Sequence, residues 1–105
     1  MITVSFFKDG NGKVVKVTAT GHSGYASSGS DIVCAAASTL IQTAYLAIAD
    51  ITDKITFDRD DDKAYFSFTV GDVPDRHDID VIIRAVTVGL RDLASGYPQH
   101  IKLEE

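Results

Sequence analysis

The chain has 105 residues, 45% of them hydrophobic, which suits one ordinary domain with its own core and leaves nothing for a second. Its formal net charge is −5, from 10 Lys and Arg against 15 Asp and Glu, with no basic cluster to displace counterions from phosphate; this argues against direct nucleic-acid binding, while a basic protein partner would be attracted. The single Cys excludes an internal disulfide and any cysteine-rich zinc site.

The opening run MITVSFFKDGNG has no basic start followed by a long apolar stretch, so no signal peptide is expected. No segment is read as a membrane span of about 20 apolar residues. The expectation is a soluble, cytoplasmic protein that makes no membrane contact.

Ile2, Val4 and Phe6 alternate with Thr3 and Ser5, the period of a half-buried strand. The Asp9-Gly10 and Asn11-Gly12 pairs then signal a hairpin, and Val15, Val17 and Ala19 alternate along the return strand, which runs out near Gly21-His22. Residues 23–30, Ser-Gly-Tyr-Ala-Ser-Ser-Gly-Ser, are small, polar and glycine-bearing, which predicts a mobile loop. Ser30 or Asp31 can cap the helix that follows, because either side chain can accept from the free N–H groups of a first turn. That helix, to about Asp50, is apolar nearly all round, which predicts a buried helix. Two strands, 51–57 and 64–70, follow around an Asp-rich stretch containing Asp58, Asp60, Asp61 and Asp62. A calcium loop would need a glycine and a terminal Glu that this stretch lacks, so a solvated turn is the better reading. A second helix begins between Asp75 and Asp78, with Ile79, Ile82, Ile83, Val86, Leu90 and Leu93 as its core stripe, and Gly96 and Pro98 stop it. Residues 100–103 form a short last strand. The order β-β-α-β-β-α-β predicts a single α+β domain, its two helices packed on a largely antiparallel sheet.

Cys34 falls in the first turn of the first helix, where free N–H groups and the positive end of the helix dipole favour the reactive thiolate. The competing reading is a small buried core residue, where most free cysteines go. His22 ends a strand twelve positions earlier, and a strand end can meet the start of the following helix in space. A Cys–His pair supplies an activated sulfur and a proton donor for a leaving group. On the residues alone both readings stay open, since this spacing is a weak signal. Ser38 lies one helical turn after Cys34, where it either lines the same site or bonds back to its own helix. His77, among Asp75, Asp78 and Asp80, reads as a solvated helix start, and His100 as a surface or packing residue. Zinc held by His22, Cys34 and a distant His has no paired-ligand spacing to support it, so neither metal nor cofactor is expected.

The run Gly21-His22-Ser23-Gly24-Tyr25 through Asp31-Ile32-Val33-Cys34-Ala35-Ala36-Ala37-Ser38 resembles the ribosomal-processing cysteine protease (Prp) family, and the likeness extends over the whole chain in length and element order. The family's His and Cys positions fall on His22 and Cys34, and its signature Asp and Ser on Asp31 and Ser38. The family commonly has Ala after its His, where this chain has Ser23. The resemblance implies a homodimeric protease that removes the N-terminal extension of large-subunit ribosomal protein twenty-seven, cutting after a Phe-Phe pair.

In the mechanism this implies, His22 holds Cys34 as thiolate, and helix-start N–H groups, that of Cys34 included, stabilise the oxyanion. Asp31 serves as helix cap in preference to orienting His22. Gly21 supports the His22 step, and the 23–30 loop, with Ser23, Gly24, Tyr25, Ser27 and Gly29, acts as a lid. The alternative is a non-catalytic module that binds a basic ribosomal partner and keeps Cys34 for structure. A thiol-transfer protein is the weakest reading, because no resolving Cys is present.

Overall fold

The computed structural model describes residues 1–27 and 29–105, so all of the predicted 23–30 loop but Ser28 is described. Its elements are β1 (Ile2–Lys8), β2 (Val14–Thr20), α1 (Ile32–Ile51), β3 (Ile55–Asp60), β4 (Tyr65–Val70), α2 (His77–Gly96) and β5 (Ile101–Glu104), the α+β order expected. They form one five-stranded sheet in the order β3-β4-β2-β1-β5. Neighbours are antiparallel except β1 and β5, which pair in parallel from Ile2↔Ile101 to Ser5↔Glu104.

The period-two pattern decides which sheet face is covered. Ile2, Val4 and Phe6 point with Val17, Phe68, Val70 and Ile101 into the core, where they meet Val33, Ala37, Ile41, Ala44 and Ile48 of α1 and Ile79, Ile83 and Leu90 of α2. Each Val, Leu, Ile or Phe among them, taken fully out of water, contributes roughly 1.5–3 kcal/mol. The opposite face carries Thr3, Ser5, Thr18, Ser67 and Thr69, short hydroxyl side chains suited to a sheet surface that no helix covers. The β1–β2 hairpin closes as its Asp-Gly and Asn-Gly pairs predict: Asp9 Oδ1 accepts from the Asn11 and Lys13 amides at 2.8 and 3.0 Å, and Gly12 takes a φ of +78°.

Four expectations need correction. α1 is buried along one stripe only; Ile32, Leu46 and Ile51 on its outer side are 56%, 63% and 47% exposed. Because it is apolar all round, α1 also has the length and composition of a membrane span, contrary to the reading that no segment does, although its core stripe packs on the sheet. The third strand starts four residues late, because α1 continues through Ile51. It also runs on to Asp60, because Asp58 and Asp60 pair with Ser67 and Tyr65 of β4. Only Asp61 and Asp62 of the acidic stretch are left for the turn.

Candidate active site

The site forms where β2 ends and α1 begins. Gly21 follows β2 with a φ of +91°, and its N–H donates to the Ala64 carbonyl at 2.9 Å, binding the strand end to the β3–β4 turn. A side chain here would meet the Met1 backbone, so glycine is required for space as well as for its dihedral. His22 comes next, with its side chain exposed, and Ser23 then turns inward until only 2% of it is accessible.

Asp31, not Ser30, is the N-cap of α1, and its Oδ1 accepts from the Cys34 amide at 2.9 Å. Its Oδ2 accepts from the Ser23 hydroxyl and, at 3.4 Å, from the Ala26 amide. The Ser23 hydroxyl bond, more than the Cys34 and Ala26 amides, pulls the Asp31 carboxyl down to about 2, against the opposing effect of burial. The cap is therefore a fixed anion one turn from the sulfur, and it offsets part of the positive helix-end field there. Among the described residues its bonds run to Ser23, Ala26 and Cys34 and none runs to His22, which is the arrangement of a cap. One expectation changes as a result: the Cys34 N–H is taken up by Asp31 and does not stand open as an oxyanion donor.

Cys34 is half-buried against the core and unbridged. It shares with His22 and Ser38 the wall between two cavities. One, of about 200 Å³, is floored by Ile2, Ala19, Ile41 and Phe66 and rimmed by the Arg59–Asp61 ion pair, whose Nε–Oδ1 distance is 2.6 Å. The other, of about 420 Å³, is bounded by the loop through Gly24, Ala26 and Gly29 and by Asp31 and Ala35. The paired candidates thus look onto an apolar cavity on one side and a loop-bounded one on the other. Among the described residues no cluster of three or more His, Cys, Asp or Glu is arranged to hold a metal.

Two groups of site residues were not singled out from sequence. Ala19 and Phe66 enter the apolar cavity from two strands and Arg59 rims it from a third; only the period-two places of Ala19 and Phe66 hinted at it, since Arg59 lies beyond the predicted end of its strand. His100, read as surface or packing, has its Nδ1 2.9 Å from the Ser23 carbonyl, and the Tyr25 ring stands edge-on to both His100 and Tyr97 with centroids 5.4 Å away. Nothing local in the sequence connects positions 77 apart.

A family model described as cysteine protease Prp matches residues 1–102. The ribosomal processing cysteine protease Prp of Staphylococcus aureus is 30% identical over 104 residues, covering 98% of this chain and 97% of that protein. Two crystal structures of the S. aureus protease superpose on this chain. One, with a covalently linked product peptide, has a TM-score of 0.89 at 30% identity, covering 99% of this chain and 98% of its own. The other, with a substrate peptide, has a TM-score of 0.84 at 28% identity with the same coverage. SMU.848 of Streptococcus mutans follows at a TM-score of 0.80 and 25% identity, covering 99% of this chain and 92% of its own. With the family model matched over residues 1–102 and the fold over 99% of its length, the chain belongs to the Prp family of cysteine proteases and is a peptide-bond hydrolase.

Proposed function

We propose that the chain is a cytoplasmic cysteine endopeptidase that removes the N-terminal extension of large-subunit ribosomal protein twenty-seven, cutting after an aromatic pair with a Cys34–His22 dyad. The observation that carries this reading is the placing of both residues on the wall between two cavities, one of them apolar. Cys34 attacks the scissile carbonyl as thiolate, and the acyl-enzyme forms as His22 protonates the departing amine. His22 then takes a proton from water to release the new carboxylate. With the Cys34 N–H held by Asp31, the amides of Ile32 and Val33 remain at this helix end to receive the oxyanion. The cavity floored by Ile2, Ala19, Ile41 and Phe66 accepts the aromatic ring before the cut, and the acidic surface attracts a basic ribosomal precursor.

A homodimer is part of the same proposal. The feature in its favour is the apolar outer surface of the helix layer, with Ile32 and Leu46 of α1 and Val81 and Val88 of α2 each more than half exposed.

Mass spectrometry of a peptide spanning the ribosomal extension, incubated with the wild type, Cys34→Ser and His22→Ala, tests the reading. One cut after the aromatic pair, lost in both variants, is the expected result. Absence of cutting by reduced wild-type enzyme would refute this choice of substrate.

A further inference from the structure

We propose that His100 is a positioning residue of this protease: its imidazole donates to the Ser23 carbonyl and thereby fixes the backbone that carries His22 beside Cys34. The proposal rests on the dyad reading above and adds to it a residue from the far end of the chain.

His22 occupies the one step between two anchored neighbours. On its N-terminal side the Gly21 amide is bonded to the Ala64 carbonyl at 2.9 Å. On its C-terminal side Ser23 is buried and held by three contacts at two of its atoms. Its hydroxyl oxygen donates to Asp31 and accepts from the Tyr25 amide at 3.2 Å, while its carbonyl faces His100 Nδ1 at 2.9 Å. The peptide link following Ser23 is thus fixed by the His100 contact and the Ser23 side chain by the helix cap, so the residue next to His22 is held through both backbone and side chain.

His100 is suited to act as the post. Its carbonyl accepts from the Ile2 amide and its amide donates to the Tyr97 carbonyl, both at 2.9 Å, so its backbone joins the start of β1 to the end of α2 before the side chain is considered. The ring is held edge-on against Tyr25. A backbone carbonyl only accepts, so the contact requires the proton on Nδ1. A merely packed ring would make no such demand, and that difference separates the two roles.

Three variants separate them. His100→Asn places an amide N–H near the Nδ1 position, His100→Gln places it near Nε2, and His100→Leu keeps bulk without a donor. The readouts are kcat and KM on the ribosomal-extension peptide, and the Cys34 alkylation rate at pH 7 relative to its alkaline plateau. Misplacing a catalytic base by a fraction of an ångström should lower kcat about tenfold or more in His100→Leu and His100→Gln with KM within about threefold, and lower the relative alkylation rate by about threefold. His100→Asn should stay within about threefold of wild type in both.

Equal kcat in all three variants, or Gln matching wild type while Asn does not, would overturn the proposal. If His100→Leu fails to fold, the Asn and Gln pair still decides, since both are polar. A wild type that cuts no ribosomal-extension peptide would sink that choice of substrate, and the alkylation ratio would then decide the positioning role by itself.

Discussion

Replacing Gly21 by Ala is the most demanding test of how the site is built. The residue sits at a φ of +91°, beyond the left-handed well that other residues visit, which costs an alanine roughly 1–2 kcal/mol. The added Cβ would overlap the Met1 carbonyl oxygen and lie 3.4 Å from the Met1 carbonyl carbon. Neither can swing aside freely, because the Ile2 amide is bonded to the His100 carbonyl at 2.9 Å and Thr3 is in register with Thr20. Forcing a methyl into filled space adds roughly 1–3 kcal/mol, for a total of roughly 2–5 kcal/mol, a large share of the ~5–15 kcal/mol that holds a typical domain together. At about 4 °C per kcal/mol for a chain of this size, Tm should fall by roughly 8–20 °C.

Gly24→Ala is the control. Its φ of +69° is close to the left-handed well and nothing lies within 4 Å of the new Cβ, so only about 1 kcal/mol, or about 4 °C, should be lost. Thermal melts by circular dichroism give both shifts, and kcat measured well below the lower Tm reports whether His22 has moved with its neighbour. Equal Tm shifts for the two variants, or a Gly21→Ala enzyme with wild-type stability, would refute the assignment of Gly21 as sterically confined.

Three further outcomes are expected. The Asp31 carboxyl titrates near 2 in the folded chain, below its ordinary value of 3.8, so the unfolded chain binds more protons between these values. Its stabilising contribution is complete above about pH 5 and is lost as pH falls through 2, so Asp31→Asn should flatten the acid limb of the stability profile; an unchanged limb would refute this. Ala19→Leu should fill the apolar cavity and raise KM for a peptide with an aromatic residue before the cut by about ten- to a hundredfold, sparing a peptide with Ala there. Unaltered KM would place the ring elsewhere. Leu46→Lys, on the outer side of α1, should turn a sedimenting dimer into a monomer without loss of Tm, and a monomeric wild type would end the dimer proposal.

What could be read from the sequence was what neighbours along the chain determine. The alternation in β1 and the stripe from Ile79 to Leu90 in α2 each carry their own period, and the folded chain buries the sides those periods name. The α1 segment gave too little contrast between its faces for the pattern to say which would be covered, and the sheet chose Val33, Ala37, Ile41, Ala44 and Ile48. His22, Asp31 and Cys34 stood out because they lie close in sequence and suit a strand end, a cap and a first helical turn. The apolar cavity did not, since Ala19, Ile41 and Phe66 come from three elements whose meeting depends on sheet order. The occupation of the Cys34 amide was hidden too, because a cap at Ser30 or at Asp31 satisfies the same rule but leaves a different N–H bound.

The parallel pairing of β5 with β1 has a consequence for when the enzyme becomes competent during its own synthesis. The brace behind the histidine loop needs His100 and the first residues of the chain together, and β5 cannot settle beside β1 until the ribosome has released residues 101–104 from its tunnel. Contacts between such distant positions close late, because the loop-closure entropy must be met before they form. On the proposed role of His100, a nascent chain can hold Cys34 and His22 long before then, yet lack the support for their alignment. If His100 positions the dyad as proposed, cutting begins only once β5 has paired with β1.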